Sequence, residues 1–188
     1  MKALSVLAVT YSLVLFTTSC VAVAATRQHQ GSGVVTLGGQ ILDSACALDT
    51  SSAYQLIEMD PVPMGQMIRE GEGPLHPFSL RLVHCSLTRP DPARPGQYLP
   101  DWEHVRVTFE GMSDRQGRSF AAVGSSQGVA LNITDVNGRE SVPGVPMSLT
   151  PLTGEDQVLH YTLRLIGNGS PMAVGTHRAA IRFRLEYF

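Results

Sequence analysis

The stretch Gly124-Ser-Ser-Gln-Gly128 matches G-x-S-x-G, the pattern of a serine nucleophile held on a sharp turn between a strand and a helix. Its chemistry would be acyl transfer. The next residues are Val129-Ala-Leu-Asn-Ile-Thr134, in which Val129, Leu131 and Ile133 alternate with Ala130, Asn132 and Thr134. A period of two reads as a strand, not a helix. Without the helix the hydroxyl is not presented for attack, and the stretch reads as a loop between strands. The histidines (His29, His76, His84, His104, His160, His177) are scattered. No H-x-x-x-H or H-E-x-x-H spacing puts two imidazoles on one helical face, so no metal site is predicted. Glu70/Glu72 and Glu155-Asp156 fall in loops, where carboxylates are solvated, and sequence separation does not set two of them face to face as a glycosidase needs. Asn132-Ile-Thr134 and Asn168-Gly-Ser170 match the glycosylation pattern, as short stretches often do by chance. These residues form no catalytic constellation, and they imply no cofactor and no small-molecule substrate.

The cysteines point elsewhere. Lys2 precedes an apolar run, Ala3 to Phe16, and Ala22-Val-Ala24 fits the cleavage pattern of a secretory signal peptide, which places a leader at 1–24 and the mature start at Ala25. The run is short for a membrane span of roughly 20 apolar residues. Thr17-Thr-Ser-Cys20 is a partial match to a lipoprotein signal that lacks the aliphatic first position. Cys46 and Cys85 then remain. An even pair in an oxidising compartment reads as a disulfide. The alternative, a metal pair or a reactive thiol, lacks a neighbouring Cys or His to complete it. Lys2 is the lone lysine among 14 Lys plus Arg, so the mature chain keeps 13 arginines against 16 acids, a net of −3. That charge argues against nucleic acid as a partner and disfavours a basic membrane-facing patch.

The elements that carry these residues are short. Residues 25–33 are small and polar and read as an arm. Gly33, Val35 and Leu37 then alternate with Val34 and Thr36, a strand signal broken by Gly38-Gly39. Tyr54 to Met59 is a short apolar run ended by Pro61 and Pro63, and 71–77 reads as a loop. Phe78, Leu80 and Leu82 alternate up to Cys85, and Val105, Val107 and Phe109 make another strand. Residues 88–101 and 143–152 read as irregular, and Phe120 to Val123 as ambiguous. Leu159, Tyr161, Leu163 and Leu165 line one face of a long strand. At the end, Ile181, Phe183, Leu185 and Tyr187 share one face and Arg182, Arg184 and Glu186 the other. The sequence stops there without a return strand, so the expectation is that another chain covers the edge of this apolar strand. About seven to nine short strands with Gly/Pro turns predict an all-β, immunoglobulin-like sandwich.

In this order the features resemble the chaperone–usher pilins. The residues that carry the resemblance are the alternating arm with Gly33, Val35 and Leu37, then "GGQILDSACALD", "FSLRLVHCSL", "VRVTFEGM", "VALNITDVNG" and "PLTGEDQVLHYTLRLIGNG", and finally Gly175 and the penultimate Tyr187. The match spans essentially the whole mature chain. The resemblance implies a sandwich that lacks its last strand and is completed in trans. The completing strand comes first from a periplasmic pilus chaperone and then, at an outer-membrane usher, from the arm of a neighbouring pilin subunit. It implies that Gly175, Ile181, Phe183, Leu185, Tyr187 and the Phe188 carboxylate form the chaperone-binding edge. It implies also that Gly33, Val35 and Leu37, within an arm at 25–37, enter a neighbour's groove, and that 38–188 is the pilin domain. The wording of the later motifs is similar to the P-pilus terminator, which stops growth and holds the pilus base at the outer membrane. A rod or minor adaptor pilin is the alternative, and a secreted β-sandwich enzyme or a carbohydrate-binding module the alternative of another class. A terminator must refuse an incoming arm, and the side chains expected to close its groove lie in 88–101 or 143–152.

Overall fold

A computed structural model describes residues 33–39 and 41–188. The signal-peptide reading of 1–24, Cys20 and the first part of the arm, 25–32, lie outside the described residues. The chain divides into a unit that ends at Ile41 and a compact unit, Leu42–Phe188. In the first, residues 33–39 form no strand, and Val35 and Leu37 are 84% and 91% exposed. The alternation is there, but a strand forms only where a neighbour takes its backbone hydrogen bonds.

The compact unit is a β-sandwich. Its strands are β1 (Ala47–Leu48), β2 (His76–Val83), β3 (Arg89–Pro90), β4 (Tyr98–Leu99), β5 (His104–Glu110), β6 (Phe120–Ala121), β7 (Val123–Gly124), β8 (Val129–Asp135), β9 (Thr150–Pro151), β10 (Gln157–Gly167), β11 (His177–Arg178) and β12 (Arg182–Tyr187). One sheet runs β1-β2-β10-β8-β6 and the other β12-β5-β9, with small pairs β11-β7 and β3-β4. The period-two pattern sets which face is inward. Leu159, Tyr161, Leu163 and Leu165 of β10, Leu80 and Leu82 of β2, and Leu131 and Ile133 of β8 are all buried and meet Val105, Val107 and Phe109 of β5. Phe109 stands at the centre, 5.0 Å from Tyr161 and 6.0 Å from Phe78, edge-on to both, an arrangement favoured by the ring quadrupoles.

Local chemistry explains where the elements differ from the sequence reading. Two short helices interrupt the strands. In α1 (Thr50–Ala53) Asp49 caps the first turn, accepting from Ser51 N at 2.9 Å. In α2 (Met64–Glu70) the left-handed Gly71 closes the last turn, its N–H donating to Met67 O at 2.9 Å. These helices are too short for a 3.6-residue period to emerge. The final stretch is two strands rather than one: β11 pairs with β7, then the chain crosses and β12 pairs with β5. The stretches read as irregular also contain short pairings, β3 with β4 and β9 with β5.

Cys46 and Cys85 are joined, just before β1 and just beyond β2, with a sequence separation of 39. Closing a loop of that length stabilises by about 4 kcal/mol in the chain-entropy model. Replacing both cysteines by serine is therefore expected to cost about 2–5 kcal/mol, read from the urea midpoint. An unchanged midpoint would mean the bridge is structurally idle.

Candidate functional site

The site is an unfinished edge. β12 pairs with β5 from Arg182↔Glu110 to Tyr187↔Val105, and among the described residues no strand pairs with its other side. Its outward side chains form a ladder with β5: Arg184 lies 3.4 Å from Glu110, and Arg106 3.3 Å from Glu186. These groups are partly exposed and fix register more than they stabilise. The inward side chains Ile181, Phe183, Leu185 and Tyr187 are only half-buried, because among the described residues no strand lies beyond β12. The Tyr187 ring packs edge-on to Trp102 at 6.2 Å, and its hydroxyl donates to Cys46 O at 3.4 Å. Burial pushes that hydroxyl's pKa above the usual tyrosine value. Phe188 O accepts from Glu103 N at 2.7 Å and His104 N at 3.0 Å, while the Arg106 guanidinium sits 4.5 Å from the Phe188 ring centre.

Opposite β12 runs a second free backbone. After α1 the chain from Tyr54 to Pro61 is in no helix or strand. Ile57 and Met59 turn partly inward while Leu56, Glu58 and Asp60 face out, the alternation of a strand without a ladder. Between the two lips lies a cavity of about 490 Å³. Tyr54, Gln55 and Ile57 line it on one side and Ile181, Arg182 and Phe183 on the other, with Leu80, Phe109, Ile133 and Leu163 among its walls. An apolar trough between two unpaired backbones has the shape and chemistry that a β-strand fills. Backbone groups on both sides supply hydrogen bonds, and alternate side chains drop into the trough.

Ile181 and Phe183 therefore stand at the trough, with Leu185, Tyr187 and Phe188 following along the same edge. Gly175 is not on β12. It precedes β11 and lines a second cavity of about 190 Å³, together with Val62, Met67 and Met172. Gly33, Val35 and Leu37 belong to the first unit and are themselves exposed. No residue of 88–101 or 143–152, the candidate loops for closing the groove, lines either of these two cavities. Met67 comes instead from α2, a helix with no visible period. The lip from Tyr54 to Pro61 was also missed as part of the site. Its one signal is the Ile57/Met59 alternation, hidden in a run too short to stand out. Gly124–Gly128 is followed directly by β8, and Ser125 Oγ accepts from Thr176 N at 3.0 Å, bound to backbone rather than to a general base.

No protein-family model matches the chain. The PRS fimbrial minor pilin protein of Escherichia coli is 33% identical over 155 residues, 82% of this chain and 77% of the relative. The PAP fimbrial minor pilin protein of Escherichia coli is 34% identical over 149 residues, 79% and 74% of the two chains. A chain in a solved chaperone–usher pilus has the same fold, with a TM-score of 0.67 over 87% of this chain and all of that one, at 23% identity. With this identity over four-fifths of its length, and an immunoglobulin-like sandwich left open along its last strand, the chain belongs to the chaperone–usher pilins, structural subunits of a fimbrium rather than enzymes.

Proposed function

We propose that the trough between β12 and residues 54–61 receives a β-strand from another chain. The donor is the periplasmic chaperone; in a rod or adaptor subunit the arm of a neighbouring subunit would replace it at the outer-membrane usher. The observation that carries this is the pairing of two free backbone lips across one apolar cavity. In this reading Ile181, Phe183, Leu185 and Tyr187 form the inner row of the chaperone-binding edge, and Phe188 and Gly175 mark its two ends. Residues 1–24 are a leader and 38–188 the pilin domain. The arm 25–37 is itself a donor, with Gly33, Val35 and Leu37 directed into another subunit's trough.

A synthetic strand with alternating apolar residues tests it. Added to the purified full chain at 100 times its Kd, the strand contributes about 2.7 kcal/mol. For a chain of this size that raises Tm by roughly 5–10 °C. A scrambled peptide of the same composition should leave Tm unchanged. Equal shifts from both peptides, or none from either, would remove the strand-acceptor reading.

Within that role we place the subunit at the base of the pilus, as its terminator at the outer membrane. The observation that supports this is the cavity beside β11, which is small and walled by Met67 and Met172; the relatives named above are minor pilins, which fits a terminator and an adaptor alike.

A further inference from the structure

The Gly124–Gly128 stretch does other work than its motif suggests. It wraps the segment that leads into the last two strands. Gln127 and Ala173 exchange two backbone hydrogen bonds of 3.1 Å, and Ser126 N donates to Thr176 O at 3.1 Å. β7 pairs with β11 through His177↔Gly124 and Arg178↔Val123. Ser125 Oγ adds its bond from Thr176 N and lies 3.3 Å from Thr176 Oγ1.

Only glycines allow this approach. A Cβ on Gly128 would lie 2.7 Å from the carbonyl oxygens of Ser170 and Pro171, and one on Gly124 2.9 Å from the carbonyl carbon of Thr176. On Gly175 it would lie 2.5 Å from the carbonyl carbon of Ser125. All three obstructions include backbone, which cannot rotate aside as a side chain would. Gly124 and Gly128 also have φ of 149° and 76°, where a side chain is strained. Gly175 has no such φ, so its requirement is steric alone.

The clasp acts where the last segment changes sheets. The chain leaves β7 after Arg178 and joins β5 at Arg182, crossing at 179–181. Its path there is fixed by the clasp on one side and by β5 on the other. Ser126, Gln127, Ala173, Gly175 and His177 also line the smaller cavity, whereas Ile181 and Phe183 line the larger one.

We infer that the clasp holds the upstream end of the strand-accepting edge in place. Gly124, Ser125, Gly128 and Gly175 are then positioning residues for a donor strand that reaches past Ile181 to the smaller cavity. Gly175 serves the edge from beneath. This rests on the strand-acceptor reading above.

Two peptides separate the possibilities. Both carry the same alternating apolar residues for the Ile181–Tyr187 part of the trough, and the long one continues by about four residues to reach His177. Their affinities are measured for the purified full chain, for Ser125→Ala and for Gly175→Ala. The unaltered chain is expected to bind the long peptide more tightly. Ser125→Ala should weaken the long peptide by roughly two- to tenfold, the loss of one net hydrogen bond, and leave the short one unchanged. Gly175→Ala should erase the long peptide's advantage. If Gly175→Ala fails to fold, Ser125→Ala decides, because it deletes only a hydroxyl. Hydrogen exchange in Ser125→Ala should be faster at Thr176 and Arg178. Variants that weaken both peptides equally, or neither, overturn the inference. An unaltered chain that binds neither peptide overturns the strand-acceptor reading and this inference with it.

Discussion

Phe183→Asp is expected to abolish the complex with the pilus chaperone, and Tyr187→Asp to do the same from the other end of the edge. Phe183 lines the trough, and its ring lies 6.5 Å from that of Phe109. In the free chain an aspartate there still reaches water, because the trough is open. A strand laid across it would close that access and bury the carboxylate against Phe109, Leu80 and Ile133. Burying an unpaired charge costs several kcal/mol. The lost phenyl burial adds about 1.5–3 kcal/mol. Together these correspond to an affinity loss of at least ~1,000-fold, since every 1.4 kcal/mol is tenfold. At Tyr187 the substitution removes the contact with Trp102 and the bond to Cys46 O, so the end of the edge loses its anchor. Arg184→Asp is the control. It faces outward, pairs with Glu110 and Glu186, and should leave binding within a few-fold. Co-purification with the chaperone reads all three. Wild-type recovery of both the Phe183 and the Tyr187 variant would falsify the assignment of this edge.

The same residues show how far the sequence carries. Ile181, Phe183, Leu185 and Tyr187 announce their strand because a period of two over a strand length has no other good explanation. The long alternation of β10 does so for the same reason. The cysteine pair was legible from compartment and parity. The other lip was not. Residues 54–61 form no ladder, so their backbone conformation depends on the sheets beside them rather than on their own pattern. α2 spans Met64–Glu70, two turns, and presents one fully buried side chain, Met67. A single buried residue defines no period. The clasp was invisible for a different reason. Gly124, Gly128 and Gly175 are needed because distant backbone comes close, and no local signal reports a contact across 51 positions such as Ser125 with Thr176. The glycines of the G-x-S-x-G match serve close backbone packing rather than acyl transfer.

The position in the pilus gives the second large effect. A subunit inside the rod must release its chaperone to the next arm, whereas a terminator must not. Mixing the chaperone-bound chain with an arm peptide from another pilin of the same pilus is expected to give no exchange over days, while a control pilin exchanges. The reason is kinetic. Exchange proceeds stepwise, so an incoming strand needs a first foothold while the chaperone strand still fills the remainder of the trough. If the foothold is the cavity beside β11, its size decides the rate. That cavity is about 190 Å³, against about 490 Å³ for the main trough, and Met67 of α2 and Met172 stand in its wall. Methionine is flexible, so a strand not yet seated in the main trough finds no fixed slot there, whereas one already seated can press the two side chains aside. Met67→Ala together with Met172→Ala should then enlarge the foothold and turn exchange on, with the chaperone complex itself unaffected. The reverse reaction supplies the partner control: a peptide of residues 25–37 should enter the trough of another pilin of the same pilus, because donation needs only Gly33, Val35 and Leu37. Ready exchange by the unaltered chain would make it a rod or adaptor subunit. Failure of the double alanine variant to exchange, with the unaltered chain still refusing, would move the block away from this cavity.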